Sequence, residues 1–394
     1  MEYRIDPKSG NKLSALGFGC MRFPRGVTIR MDTDKSEALV LSAIDNGVNY
    51  FDTAYIYGES ETVLGEILAR NNVRDKVFIA TKLPHNNCPD YDSFERVFQE
   101  QLTRLRTDRI DYYLIHNLPA VAQWRSLCES GIERWIEAKK HLGQIGQIGF
   151  SFHGAQTEFF GLLDAYEWDF CQIQYNYMNE NYQAGRAGLK KAHELGLPVV
   201  IMEPLLGGKL ATGLPKKAAK LFRDAAPGQS PASWAFRWLW DQPEVTVVLS
   251  GMNGAEQLED NLSTAKDANT AMPPEMASVF AQVTEVFRES YKVPCTGCNY
   301  CMPCPHGVNI PGCFAAFNIS YAVGFVSGMQ QYVTSTGVNR KGNHSGGRQC
   351  EKCGECEAKC PQHIGIIKSL ESVMRRLEPF WFSGAMKIVS RVMK

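Results

Sequence analysis

Eight short apolar runs, each followed by a segment with helical periodicity, fill about the first 265 residues of this 394-residue chain. The runs occupy residues 13–22, 49–54, 76–83, 110–117, 145–152, 170–176, 198–204 and 245–252. They are continuous rather than strictly alternating, which is typical of parallel strands covered by helices on both faces. Eight strand–helix units in about 250 residues predict an α/β fold, the (β/α)8 barrel.

The competing fold is a doubly wound open sheet, which normally carries a Gly-x-Gly-x-x-Gly turn after its first strand. The first run ends in LGFGC, Leu16–Cys20, whose glycines lack that spacing, so the barrel is favoured. Among the helices, Pro231 suits the first position of one. The segment after the fourth run predicts a single helix at 126–140.

Titratable side chains stand at the ends of three neighbouring runs. Asp52 and Lys82 come near the ends of the second and third runs, and His116 near the end of the fourth. Tyr57 lies in the loop after the second run. Because the carboxyl ends of barrel strands open into one mouth, we expect these four side chains to converge.

This set suits the reduction of a carbonyl group by hydride. The developing alkoxide needs a proton, which the Tyr57 phenol can donate. Since the pKa of a free phenol is about 10, a neighbouring ammonium is needed to lower it, and Lys82 provides one. Asp52 would keep Lys82 charged and in place, and His116 would orient the substrate oxygen.

Eight of the thirteen cysteines fall in two tight runs near the end of the chain. The first run is Cys295, Cys298, Cys301 and Cys304, and the second is Cys350, Cys353, Cys356 and Cys360, each followed by proline. The second run has the Cys-x2-Cys-x2-Cys-x3-Cys-Pro spacing of bacterial ferredoxins. This pattern predicts two [4Fe–4S] clusters, with zinc or a single cluster as the alternatives.

The motifs DTAYIYGESE, IATKLP, YYLIHN, GQIGQIGFSFHG, FCQIQYNYMN and EPLLGGKL resemble, in this order, those of the aldo-keto reductases. The resemblance covers roughly residues 10–265, and the whole chain is similar to the branch of that family fused to a C-terminal dicluster ferredoxin-type domain. It implies that the four strand-end residues are catalytic. It also implies NAD(P)(H), bound extended across the barrel mouth.

The resemblance also implies which residues hold the dinucleotide. Ser151 and Gln172 match the residues that bind the carboxamide, whereas Phe152 replaces the family's asparagine and Met202 its stacking aromatic. For the diphosphate, the glycines of Leu205–Lys209 and the start of the eighth helix offer backbone N–H groups, and the further cofactor-binding candidates are Leu205, Gly207, Lys209, Ser250, Gly251, Met252, Gln257 and Asn261. Gly251 and Gln257 occupy positions where relatives often carry the Lys and Arg that pair with a 2′-phosphate, so the choice between NADH and NADPH stays open.

Similarity to dicluster ferredoxins implies a crossed pairing of the cysteines. One cluster would be held by Cys295, Cys298, Cys301 and Cys360, and the other by Cys350, Cys353, Cys356 and Cys304. Two roles remain open for the clusters: exchange of single electrons with a ferredoxin or other redox protein, or a structural role in folding the tail around metal.

Charge and hydropathy limit the location and partners of the chain. Lys+Arg and Asp+Glu balance at 42 each, which gives no field to attract nucleic acid. No apolar run reaches the roughly 18–20 residues of a transmembrane helix, and the start lacks the pattern of a signal peptide. We therefore expect a cytoplasmic protein. The tail at 379–394 is apolar with three basic residues, and we expect it to pack on protein rather than on a membrane.

The sequence thus predicts a barrel at residues 1–285 and a mainly helical 4Fe-4S ferredoxin-type domain with a C-terminal helical tail at 286–394. The predicted function is an NAD(P)(H)-dependent oxidoreductase of a small carbonyl or alcohol substrate. The alternative is a ferredoxin-like electron carrier or redox sensor whose barrel binds a nucleotide without turnover. The oligomeric state is not predicted.

Overall fold

The computed structural model describes residues 1–26, 30–336 and 345–379. Its strands are β1 Tyr3–Ile5, β2 Lys12–Ser14, β3 Leu16–Gly19, β4 Tyr50–Asp52, β5 Phe78–Leu83, β6 Ile110–Ile115, β7 Ile145–Phe152, β8 Phe170–Gln174, β9 Val199–Met202 and β10 Val245–Ser250. Strands β3 to β10 pair in parallel in sequence order, and β10 closes on β3. Each of the eight predicted runs contains one barrel strand, so the predicted (β/α)8 barrel is confirmed.

Ten α-helices lie in the described residues up to residue 265. They are α1 Thr33–Asp45, α2 Ser60–Arg70, α3 Tyr91–Leu105, α4 Val121–Glu129, α5 Ile132–His141, α6 Gln156–Ala165, α7 Gly185–Glu194, α8 Lys216–Ala225, α9 Pro231–Trp240 and α10 Ala255–Ala265. The single helix predicted at 126–140 is wrong, because α4 and α5 divide this segment. Gly131 separates them with a left-handed φ of 87°, which an α-helix cannot include.

An antiparallel hairpin of β1 and β2 precedes the barrel and was not anticipated from the sequence. Its strands have three residues each, too few for a pattern of alternation to be recognised. The Arg4 side chain ties the hairpin to the barrel by donating to the carbonyls of Trp240, Gln242 and Ala268. The hairpin is therefore part of the folded barrel unit.

The barrel interior is filled by a layer of aromatic side chains. The ring centroids of Tyr50 and Tyr112 are 5.3 Å apart, and those of Tyr112 and Phe170 are 5.1 Å apart. Because side chains two residues apart share a face of a strand, the next inward positions are Asp52 after Tyr50 and Gln172 after Phe170. The aromatic layer thus forms the floor of a polar layer at the carboxyl ends of the strands.

Contacts divide the chain into two units, one of Met1–Leu205 with Ala232–Met272, and one of Leu206–Pro231 with the described residues from Pro273 onward. The second unit contains α8, above, together with α11 Met276–Ser290, α12 Ile310–Ala322, α13 Phe325–Thr336, α14 Glu355–Ala358 and α15 Ile366–Leu377. The predicted mainly helical module is confirmed. The predicted boundary between residues 285 and 286 stays a prediction, and the tail at 380–394 lies outside the described residues.

The second unit has its own apolar core. Phe314, Tyr332, Val373 and Leu377 are fully buried in it, and most of the clustered cysteines pack against its edge. Within the described ranges, no helix is both long enough and apolar enough to cross a membrane.

Candidate active site and cysteine cavities

A buried ion pair lies at the carboxyl ends of β4 and β5. The Lys82 ammonium donates to Asp52 Oδ1 at 2.6 Å and to the Thr53 carbonyl at 2.7 Å. The two charged residues are only 1% and 4% exposed. Because a buried charge is tolerated only when it is paired, Asp52 fixes both the charge and the position of Lys82.

Tyr57 and His116 complete the set of four strand-end residues. The Lys82 nitrogen lies 5.2 Å from the centroid of the Tyr57 ring. The Tyr57 and His116 rings meet edge to face, with centroids 5.7 Å apart and planes at 88°. Tyr57 is held in its turn by a hydrogen bond from its backbone N–H to the Ala54 carbonyl at 3.0 Å. The structure therefore brings all four predicted residues together.

His116 is a neutral imidazole near neutral pH. Its burial, and then the charges of Lys82 and of the neighbouring His153 and His85, hold the pKa of His116 well below its usual range. Burial also lowers the pKa of His85, whose Nε2 lies 3.2 Å from the Asn117 carbonyl oxygen. The imidazoles of His85, His116 and His153 therefore lie close together in the region after β5, β6 and β7.

The two residues predicted to bind the carboxamide lie beside this set. Ser151 and Gln172 are register partners on β7 and β8 and are almost fully buried. The Gln172 amide donates to Asp52 Oδ2 at 2.9 Å, and the Ser151 hydroxyl oxygen accepts from the Asn117 N–H at 2.8 Å. The serine hydroxyl hydrogen and the glutamine carbonyl oxygen have further hydrogen-bonding capacity.

Gln174 belongs to the same inward face of β8 and was missed from the sequence. Within the described residues, neither polar atom of its side chain has a hydrogen-bond partner, although both are buried. An unmade hydrogen bond costs about 1–3 kcal/mol for each buried group, so this amide is suited to receive a ligand's donor and acceptor. The sequence signal is the alternation in CQIQ, which places Gln172 and Gln174 on one face.

Arg22, also missed from the sequence, lies over the loop that follows β10. A side chain at Gly251 would bring its Cβ to within 3.1 Å of Arg22 Cδ and 3.3 Å of its Cβ and Cγ. The absence of a side chain at position 251 therefore lets the exposed Arg22 cross the loop. Arg22, which lies between β3 and α1, thus approaches the loop after β10, and this loop has no basic residue of its own.

The other residues predicted to bind the dinucleotide are placed as follows. The Asn261 amide donates to the Ser250 hydroxyl at 2.9 Å, and Gln257 Oε1 accepts from the Asn253 N–H at 3.0 Å. Met252 is buried, and Met202 and Leu205 are half-buried. Gly207 and Lys209 belong to the second unit, where Gly207 has a φ of 70° and the Lys209 ammonium lies 5.6 Å from the Tyr291 ring centroid.

The eight clustered cysteines surround two cavities. One cavity is lined by Cys295, Cys298, Cys301 and Cys360. The other is lined by Cys304, Cys350, Cys353 and Cys356. Each cavity thus takes three cysteines from one run and one from the other, and Ile310 lines both.

Four thiols around a cavity are the donor set that a [4Fe–4S] cluster requires. In the described part of the chain, no three His, Cys, Asp or Glu side chains meet the geometry of a site for a single metal ion. Thiolates that hold a cluster bind different iron atoms, so their sulfurs stand farther apart than the ligands of one ion. The residues present therefore fit a cluster in each cavity.

Comparison with known proteins gives matches to both units of the chain. A sequence model of the aldo/keto reductase family matches residues 15–272, and a model of a 4Fe-4S dicluster domain matches residues 294–366. The oxidoreductase YrpG of Bacillus subtilis is 28% identical over 313 residues, which are 68% of this chain and 91% of the relative. The 6-dehydroglucose reductase of Novosphingobium aromaticivorans is 28% identical over 286 residues, which are 66% and 88% of the two chains.

A solved structure also resembles the fold. The holo form of aldo-keto reductase AKR11C1 from Bacillus halodurans matches with a TM-score of 0.60 and 22% sequence identity. The match covers 72% of this chain and 96% of that protein. At this identity the likeness supports the barrel fold alone.

Proposed function

Because the chain belongs to the aldo/keto reductase family and carries a 4Fe-4S dicluster domain, we propose that its barrel transfers hydride between NAD(P)(H) and a small carbonyl or alcohol substrate. The observation that carries the proposal is the assembly of Tyr57, His116 and the buried Asp52–Lys82 pair at one end of the barrel.

The nicotinamide, when bound, supplies the hydride. Tyr57 donates its hydroxyl proton to the substrate oxygen as the alkoxide forms, and the Lys82 ammonium stabilises the phenolate that remains. Asp52 acts through Lys82 by holding the ammonium in place. His116 stays neutral, so its imidazole donates a hydrogen bond that orients the substrate oxygen without competing with Tyr57 as the acid.

Three amide or hydroxyl side chains on β7 and β8 would hold the carboxamide of the nicotinamide. Ser151 and Gln172 have hydrogen-bonding capacity left, and Gln174 has an unpartnered amide within the described residues. Gln174 thereby compensates for Phe152, which replaces the family's asparagine. Arg22 would neutralise the phosphates over the loop at Gly251.

The walls of the mouth favour a polar substrate. Asn117 follows His116 where many relatives carry a bulky aromatic residue, and the imidazoles of His85 and His153 lie nearby. A relative named 6-dehydroglucose reductase acts on a sugar-derived carbonyl, which supports a hydroxylated aldehyde or ketone as substrate here. In the second unit, we propose one [4Fe–4S] cluster in each cysteine-lined cavity.

The test uses anaerobically purified protein, with glyceraldehyde as the first substrate probe and NADH and NADPH compared. The variant Tyr57→Phe should lower kcat by at least about 100-fold, the usual contribution of a general acid. Tyr55→Phe is the matched control. Tyr55 lies in the same loop as Tyr57, but its hydroxyl donates to Glu100 in α3 at 2.8 Å. Equal activity of the two variants would contradict the proposed role of Tyr57. A wild type that binds nucleotide but reduces no carbonyl would support the non-catalytic alternative.

Iron and sulfide counts on the same preparation test the second unit. Two clusters require about eight iron and eight sulfide per chain. A colourless protein that contains zinc would refute the clusters and leave the barrel reaction untouched.

A further inference from the structure

An exposed apolar patch lies on the second unit at the turn between α12 and α13. We call Tyr321, Val323, Phe325 and Val326 the turn patch; they are 41%, 50%, 44% and 79% exposed. Scattered exposed apolar residues are normal on a protein surface, whereas four within six residues are a concentrated group. The turn patch is therefore a candidate contact surface.

Two cations adjoin the turn patch. The Arg376 guanidinium lies 3.9 Å from the Tyr321 ring centroid and 5.6 Å from that of Phe325, and the Lys292 ammonium lies 5.3 Å from Tyr321. The ion pairs found among the described residues of this unit use other cations, namely Lys220, Arg288, Arg348, Lys352 and Lys359. The surface thus combines apolar area with positive charge, which is complementary to an acidic partner.

Close packing and hydrogen bonds hold the turn in place. A Cβ at Gly328 would lie 2.4 Å from the Cβ of Ser320, so α12 and α13 approach closely there. Arg376 donates to the Ser320 hydroxyl at 2.6 Å and to the Ser320 carbonyl at 2.8 Å, which joins the turn to α15. A surface that is already ordered loses little conformational entropy when it binds a partner.

The turn patch is also close to a cysteine-lined cavity. Helix α12 begins at Ile310, which lines both cavities, and its Phe314 lines the cavity of the first cysteine set. Tyr321 is seven residues farther along the same helix, a distance of about 10 Å. A protein bound at the turn would therefore lie near that cavity.

We propose that the turn patch docks a small acidic ferredoxin, which exchanges single electrons with the cluster proposed for the first cysteine set. The inference rests on the proposed clusters. In the reducing direction, the ferredoxin loses one electron and the oxidised cluster gains it, with no bond or proton transferred. An interfacial membrane helix presents a whole apolar face, whereas the large exposed apolar residues that the structure describes in this unit are confined to the turn, which favours a protein partner.

The experiment follows reduction of the anaerobic full-length protein by a reduced two-iron plant-type ferredoxin, using visible absorbance in stopped flow. Val326→Glu and Lys292→Glu should each slow the second-order reduction about tenfold at low salt, because they oppose apolar contact and charge attraction. Leu142→Glu is the matched control, since Leu142 is a 65% exposed apolar residue of the barrel unit. Reduction by dithionite should be equal in all four proteins.

Several outcomes would overturn the proposal. Unchanged ferredoxin kinetics in both patch variants would do so, as would an equal slowing by Leu142→Glu. Capture of the wild type, but not Val326→Glu, by phosphatidylserine vesicles would assign the patch to a membrane surface. A lower Tm of Val326→Glu with unchanged ferredoxin kinetics would mean that the protein itself covers the patch. If dithionite reduces the clusters but ferredoxin does not, the docking site fails while the proposed clusters stand.

Discussion

The Asp52–Lys82 pair allows stability and catalysis to be separated in one set of variants. Asp52→Asn leaves an ammonium buried beside a neutral amide, and Lys82→Met leaves the Asp52 carboxylate with the Gln172 amide as its remaining side-chain donor among the described residues. Breaking a buried ion pair by removal of one partner costs about 3–5 kcal/mol. We expect each single variant to lose about this amount of free energy of unfolding.

The double variant Asp52→Asn/Lys82→Met should be more stable than the sum of the two losses predicts, because no charge is left unpaired. We expect a coupling energy of about 3 kcal/mol, which is typical of the upper range for residues in contact. Activity should behave differently: kcat should fall at least about 100-fold in all three variants, since Lys82→Met and the double variant lack the ammonium and Asp52→Asn lacks the carboxylate that holds it beside Tyr57.

Urea unfolding followed by tryptophan fluorescence measures the barrel, because six of the seven tryptophans lie between residues 124 and 240. The control cycle uses the exposed pair of Glu66 and Arg106, whose N–O distance is 2.7 Å, with an expected coupling below about 1 kcal/mol. Additive losses at Asp52 and Lys82, or full activity of Lys82→Met, would refute the reasoning.

Two further predictions concern the same end of the barrel. Since burial and the Lys82 charge lower the pKa of His116, the unfolded chain binds a proton below pH about 6.5 that the folded chain rejects, and folding stability falls as pH drops. His116→Gln should remove up to about 1.4 kcal/mol per pH unit of this slope in urea titrations from pH 7 to 5; an unchanged slope would contradict it. Arg22→Ala should raise the Kd for NADH or NADPH, read by fluorescence quenching, about tenfold through loss of a charge-assisted hydrogen bond, whereas Arg25→Ala should not; equal effects would argue against a specific role for Arg22.

Most of what the sequence predicted about the barrel came from the ends of the apolar runs and from the alternation of side chains along each strand. The residue two positions after an inward aromatic is also inward, which places Asp52 above Tyr50 and Gln172 above Phe170. The same rule would have found Gln174, but only coordinates reveal that its amide lacks a partner within the described residues.

Contacts between distant segments were not predictable from local pattern. Arg22 meets Gly251 because β3 and β10 are neighbours only once the barrel has closed. The split between α4 and α5 depends on the backbone angle of Gly131, and an isolated glycine within a helical pattern does not reveal that angle.

Each cysteine-lined cavity takes its fourth cysteine from the other run, and this has a consequence for how the protein matures. The first set of four thiols needs Cys360, and the second needs Cys356, so neither is complete until both runs have left the ribosome. For the proposed clusters, iron delivery would therefore have to follow synthesis of both cysteine runs. Until then, the growing polypeptide can offer a scaffold protein only partial sets of thiols.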